Sequence, residues 1–242
     1  MDAKVASSQP ETPRPEGGFA GWRPDGCQRV ALIFQGGGAL GAYQAGVYEA
    51  LHEADIEPDW VTGVSIGAIN AAIIAGNPRE RRVERLRDFW RRITDRRVWA
   101  FTPDGDIFRR ARNATSSMMT IALGQPGFFK PHDPSPWMNV PGAKTATSHY
   151  DTAPLEETLR DLVDFSLINE RALRFAVGAV NVETGNFIYF DNENEVIGPE
   201  HVMASGALPP TLPWSRSAPN STGTAASYPT HPCNTYSTRR TA

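Results

Sequence analysis

Two apolar segments meet at a five-residue turn, Gly63-Val64-Ser65-Ile66-Gly67. The run 59–64 before it is short and apolar, the composition of a buried strand. The run 66–75 after it is small and apolar on every side, the composition of a buried helix. A strand that becomes a helix within one residue leaves no room for side chains beside the turn, so glycine stands on each flank, at Gly63 and Gly67. The pattern is G-x-S-x-G, and its meaning depends on that strand-to-helix context. A serine hydroxyl held outward there has the positive end of the following helix beside it. That placement suits attack on a carbonyl. A glycine-rich turn in which Ser65 merely caps the helix fits the pentapeptide equally well.

A similar unit comes just before. VALIFQ (30–35) reads as a strand, stopped by Gly36, Gly37 and Gly38. AYQAGVYEALHEA (42–54) follows as an amphipathic helix, with Tyr43, Val47, Ala50 and Leu51 at helical spacing. The order strand, glycine loop, helix, strand, tight turn, helix predicts an α/β fold: a mainly parallel sheet flanked by helices. The loop Gly36-Gly37-Gly38-Ala39-Leu40-Gly41 presents consecutive backbone N–H groups that can cradle an anion. Two uses compete. One is the G-x-G-x-x-G turn of a dinucleotide fold, with Asp55, Glu57 or Asp59 as the ribose acid about 20 residues on. The other is an oxyanion hole serving Ser65. Only an acyl hydrolase needs an exposed serine at the end of the next strand, which favours the second use.

Asn77–Pro78 ends the second helix. Residues 79–97 form a third, rich in arginine (Arg79, Arg81, Arg82, Arg85, Arg87, Arg91, Arg92, Arg96 and Arg97), with Leu86, Phe89, Trp90 and Ile93 as its apolar face. Glu80, Glu84 and Asp88 dilute the charge, which reads as a solvated face before it reads as an anionic-lipid surface. Residues 105–150 read as one or two helices and then a long loop near the site, with Met118–Met119 and Phe128–Phe129 as packing pairs before they read as the lining of an acyl pocket or a membrane-facing lid. Residues 154–164 read as a helix with proline in its first turn, 173–191 as a β-hairpin, and 199–207 as a short helix. Residues 1–28, rich in Pro, Gly, Ser and charge, read as a disordered tail.

Bulk properties narrow the field. The 242-residue chain carries a formal net charge of −3, so its overall field does not call for nucleic acid. Its two cysteines, Cys27 and Cys233, lie in irregular segments and do not form a disulfide framework. No His/Cys cluster has metal spacing, and no cofactor is expected. No run approaches the length of a membrane span, and the N-terminus lacks the apolar core of a secretory signal. A cytoplasmic location is the expectation.

FQGGGALGAYQAGVYEAL, GVSIGAINAA and HVMASGALPP together resemble the patatin-like phospholipase family, in its bacterial form. The resemblance is clear over residues 29–91 and 172–210. It implies a three-layer α/β domain that hydrolyses lipid carboxylic esters, as a phospholipase A or lipid acyl hydrolase does. Ser65 would be the nucleophile. Gly37 and Gly38 would donate the oxyanion N–H groups, and Gly36 and Gly41 would shape the loop. The substrate would be a lipid or acyl ester, and the reaction admits peripheral contact with a membrane. The family's base is an aspartate, so no histidine is required. His52, His132, His149, His201 and His231 are then surface or core residues.

That aspartate belongs to an Asp-Gly-Gly or Asp-Gly-Ala motif shortly after the ASGALPP-like segment. Residues 211–242 contain no aspartate or glutamate and lose apolar periodicity. Reading the last base of each codon with the first two of the next, a choice of synonymous codons turns Pro213–Arg239 into LVEIGAELYWDGGIVSNTPLQYVLDE. The motif aspartate then spans the codons of Gly223 and Thr224. The coding frame is therefore expected to have slipped near Pro210–Leu212. The chain divides into a tail (1–28), an incomplete family domain (29–210) and an aberrant, disordered tail (211–242). It has no catalytic aspartate, an incomplete sheet and little or no activity. Asp191 is the one nearby carboxylate that could substitute, and a hairpin cap is its simpler role. Two other functions remain open: a dead remnant that binds acyl lipid, and a nucleotide-binding protein that uses the glycine loop.

Overall fold

The computed structural model describes residues 26–94, 123–133, 148–182, 184–208, 211–213 and 224–225. The first strand, β1 (Ala31–Phe34), leads through a 3₁₀ turn (Gly38–Leu40) into α1 (Gly41–Glu53). Then come β2 (Trp60–Val64), α2 (Ile66–Ala75), a 3₁₀ turn (Arg79–Arg81) and α3 (Arg82–Thr94). A two-residue ribbon, β3 (Lys130–Pro131) with β4 (Tyr150–Asp151), precedes α4 (Ala153–Leu162) and α5 (Phe165–Asn169). The hairpin of β5 (Arg174–Asn181) and β6 (Phe187–Asp191) is followed by α6 (Pro199–Gly206) and β7 (Thr224–Ala225).

The main sheet runs β1–β2–β5–β6, with β7 also on β5. β1, β2 and β5 are parallel, and β6 is antiparallel to β5. The anticipated mainly parallel sheet flanked by helices is therefore present. In β5, Phe175, Ala176, Val177 and Ala179 are all buried. Side chains alternate across a strand, so consecutive burial means that both faces of the sheet are covered here. The centre of the core is α2, whose ten residues are all buried. It ends where expected: Asn77 donates to the carbonyls of Ile73 (2.9 Å) and Leu162 (2.7 Å), which closes α2 and ties it to α4.

Several local expectations need correction. In α1, Tyr43 and Val47 face solvent, and the buried positions are Gly41 and Tyr48. The inward face carries Gly41, Gln44, Ala45 and Tyr48, small or hydrogen-bonding residues that a hydrophobic count underrates. In α3, Leu86, Phe89 and Ile93 are buried as anticipated. Its arginines pair mostly with neighbouring elements, not along the helix: Arg87 with Glu49 of α1, Arg82 with Glu57 (2.9 Å), Arg92 with Asp161 (2.6 Å). The long loop expected from Gln125 instead opens with a tight turn and enters β3. Met118–Met119 and the helices expected before residue 123 lie outside the described residues. The short helix α5 went unread in the sequence; Asp164 caps it, accepting from Ser166 N (2.9 Å).

Glu57 sits at the junction of α1, β2 and α3. It accepts from the Tyr48 hydroxyl (2.9 Å) and contacts His52 (2.6 Å), Arg79 (3.2 Å) and Arg82. Burial alone would raise its carboxyl. The hydrogen bonds from His52 and Tyr48 and the charge of Arg82 outweigh it, leaving the group below its ordinary 4.5. A depressed folded-state value stabilises the fold fully above the unfolded value and less as pH falls through the folded one. Acid titration should therefore weaken the fold below about pH 4.5, the ordinary carboxylate value. Glu57→Gln should flatten that limb in urea melts repeated from pH 3 to 7. A limb of unchanged slope would show that other carboxyls carry it.

Candidate active site

Ser65 stands at the end of β2 with φ 56° and ψ −124°. Such a backbone costs an L-residue about 1–3 kcal/mol and persists only where the surroundings impose it. They do so through the glycines. A Cβ on Gly63 would lie 2.6 Å from the Ala68 N, and one on Gly67 would lie 2.7 Å from the Gln35 O. The turn can close only if both positions lack side chains. The Ser65 carbonyl accepts from Ala68 N (2.9 Å) and Ile69 N (3.2 Å), which starts α2. The Ser65 side chain makes no capping bond, and the residue is half-buried. The capping role left open by the pentapeptide is therefore not the one its hydroxyl plays.

The glycine loop lies against this serine. A Cβ built on Gly36 would be 3.5 Å from the Ser65 Cβ. Gly37 and Gly38 follow with φ of 136° and 56°, conformations that favour glycine, and both are exposed. Gly41 packs where a Cβ would meet Ile66 at 2.6 Å. Gly36, Gly37, Gly38, Gly41, Gly63, Ser65 and Gly67 thus gather at the C-terminal ends of β1 and β2. Asn70, fully buried on α2, holds the loop in place. Its amide donates to Gly41 O (2.9 Å) and Gln44 Oε1 (3.2 Å), and its oxygen accepts from Trp90 Nε1 (3.1 Å). Gln44 in turn donates to Gln35 O (2.8 Å). No sequence motif marked Asn70 or gave Trp90 a role. A lone asparagine inside an all-apolar helix was the available signal.

The other candidates fall elsewhere. Asp55 pairs with Arg79, Glu57 belongs to the cluster described above, and Asp59 accepts from Val30 N (2.8 Å). All three precede β2, at the end of the parallel sheet opposite the glycine loop, so none is placed as a ribose acid. Asp191 accepts from Arg174 (2.6 Å), whose guanidinium stacks over Trp60 at 4.1 Å. Arg174 is registered with Trp60, and Val64 with Gly178. Asp191 is therefore also at the far end from Ser65. It holds the turn after β6, accepting from Glu193 N (3.0 Å), and does not cap the hairpin turn at Thr184–Asn186. His201 is buried and accepts from Gly198 N (2.9 Å) at the start of α6. His52 contacts Glu57 and His132 contacts Ser148; His231 lies outside the described residues. Among the described residues no cluster of His, Cys, Asp or Glu could hold a metal ion.

A buried hydroxyl that belongs to neither glycine motif touches the turn directly. Ser205 of α6 accepts from Ser65 N at 2.8 Å and donates to Gly178 O at 2.6 Å. Beyond this point β7 occupies the side of β5 that β2 has left. Val180 is registered with both Phe187 of β6 and Ala225 of β7, so β7 lies on the β2 side. Two residues of the segment expected to be disordered, Thr224 and Ala225, are therefore in the sheet, next beyond the serine turn. An apolar cleft lined by Phe128, Leu155, Met203 and Ala207 opens beside α6.

A mostly parallel sheet flanked by helices, with a serine on a strained strand-to-helix turn and a glycine loop against it, defines an α/β protein with a G-x-S-x-G elbow. The chain belongs to the patatin-like phospholipase family, whose family model matches residues 32–233. It is 43% identical over 67 residues to a putative patatin-like phospholipase domain-containing protein, M110.7, of Caenorhabditis elegans; that stretch is 28% of this chain and 6% of the relative. It is 52% identical over 46 residues to lysophospholipase nte1 of Aspergillus terreus, covering 19% of this chain and 3% of the relative. The matched stretches are thus small parts of much longer relatives. Among solved structures, VipD from Legionella pneumophila is similar with a TM-score of 0.43 at 18% identity, over 83% of this chain and 46% of that one.

Proposed function

We propose that this chain carries the fold and nucleophile of a lipid acyl hydrolase, and that it lacks the base that would make the nucleophile effective. Ser65 attacks the ester carbonyl, the Gly37 and Gly38 amides stabilise the tetrahedral oxyanion, and water then releases the acyl group. The observation that carries this reading is the contact between the glycine loop and the strained serine, Gly36 against Ser65. The family's base is the aspartate of a Ser–Asp dyad. The segment that should supply it, residues 211–242, has no carboxylate side chain, and Asp191 is committed to Arg174.

A coding frame that slipped near Pro210–Leu212 would account for this loss. In the shifted frame the aspartate would span the codons of Gly223 and Thr224; Thr224 pairs with Asn181 of β5, beyond the Val64–Gly178 pair that ends β2. Without a base the hydroxyl stays protonated and attacks poorly. The substrate class is lipid carboxylic ester, met by peripheral contact with a membrane. No described helix is long and apolar enough to cross one.

A fluorophosphonate probe tests the assignment, since it reacts with an activated serine hydroxyl. The chain as it stands should label no faster than Ser65→Ala. Rapid Ser65-dependent labelling would show that a base is present after all, and labelling at another serine would remove Ser65 from the reaction.

A further inference from the structure

The two strands β2 and β5 run in register from Trp60 and Arg174 to Val64 and Gly178. There β2 leaves the sheet, because the chain turns at Ser65 into α2. A ladder that stops inside a covered sheet leaves backbone groups that need other partners. The Ser205 hydroxyl fills that gap. It is completely buried, and it lies between the two diverging strands, accepting from Ser65 N on one side and donating to Gly178 O on the other. Serine suits the place because one hydroxyl both accepts and donates. The position is also cramped: a Cβ on Gly178 would lie 3.0 Å from Val64.

We infer that Ser205 is a positioning residue for the nucleophile: its hydroxyl replaces the lost rung between β2 and β5 and pins the strained Ser65 backbone. It touches the Ser65 amide, not the reacting hydroxyl, so its effect on chemistry passes through the angle of the turn. The contact reaches the turn from a helix that follows the hairpin, so the serine's pose depends on α6 as well as on the flanking glycines. Its chemical consequence rests on the function proposed above, whereas the pinning itself does not.

Two readouts test this without requiring ester turnover. The first is residue-resolved hydrogen exchange of Ser205→Ala. The Ser65 amide should exchange roughly fivefold faster, the weight of one neutral hydrogen bond, while the amides of Ile73 and Ile74 in the same helix keep their protection. The second replaces Ser65 by cysteine in a Cys27→Ser, Cys233→Ser background and follows alkylation by iodoacetamide against pH. A thiol held at a helix N-terminus titrates below a free one. Adding Ser205→Ala should move the alkylation midpoint upward. An unchanged Ser65 exchange rate, an unchanged midpoint, or a loss of protection spread evenly over α2 would each overturn the assignment. The last outcome would reduce Ser205 to ordinary packing. A failure of ester hydrolysis in any chain would leave both readouts intact, so the two proposals fail separately.

Discussion

Gly67→Ala is expected to cost about 3–5 kcal/mol, more than overpacking usually costs in cores. The added methyl would enter the main chain at the end of β1, 2.7 Å from Gln35 O and closer still to Phe34 O. Backbone at that distance cannot yield as a flexible side chain does. Relief would require α2 to lift off β1, and α2 is the buried centre of the core. Natural domains hold only about 5–15 kcal/mol in reserve. Gly46→Ala is the matching control. Gly46 lies in α1 with open space where the Cβ would go, so alanine should stabilise by up to about 1 kcal/mol through helix propensity. Urea midpoints of the two variants should move in opposite directions. A Gly67→Ala protein with an unshifted midpoint would mean that the elbow is looser than its geometry implies.

The second large effect is chemical. A chain with the frame restored, reading LVEIGAELYWDGGIVSNTPLQYVLDE in place of Pro213–Arg239, is expected to hydrolyse p-nitrophenyl esters about 10²–10⁴-fold faster than the chain as it stands. That is the usual weight of a positioned base. The gain should vanish with Ser65→Ala and with replacement of the restored aspartate by asparagine. The unrepaired chain should sit at the Ser65→Ala background. If it already turns over esters in a Ser65-dependent way, the missing-base account is wrong. The gene provides an independent check, because its synonymous codons across Pro213–Arg239 must spell Asp-Gly-Gly in the second frame.

Much of the architecture was legible because its signals are local. Three glycines after VALIFQ, a serine between Gly63 and Gly67, and a helix apolar but for Asn70 can each be read within ten residues. Together they announce strands and helices in alternation. The loop's contact with Ser65 was also within reach, since parallel strands bring their C-terminal ends to one edge. What stayed hidden depends on distant partners. Tyr43 and Val47 have helical spacing and still face solvent, because α1 turns Gly41, Gln44 and Tyr48 toward its neighbours. Asn70 looks like a flaw in an apolar helix until Gly41, Gln44 and Trp90 surround it. Ser205 sits in a stretch that marks the family, yet nothing nearby in the chain says that its hydroxyl reaches Ser65.

That reach has a bearing on how the protein is made. Ser65 and Ser205 are 140 positions apart, and contacts so remote in sequence are late and slow to form. A ribosome releases the elbow and its glycine loop long before it releases the helix that steadies them. During that interval the strained turn has its glycines and α2 but not the Ser205 hydroxyl. Setting of the Ser65 turn is then a closing event of folding, timed by the arrival of α6, and not something the first ninety residues can complete alone.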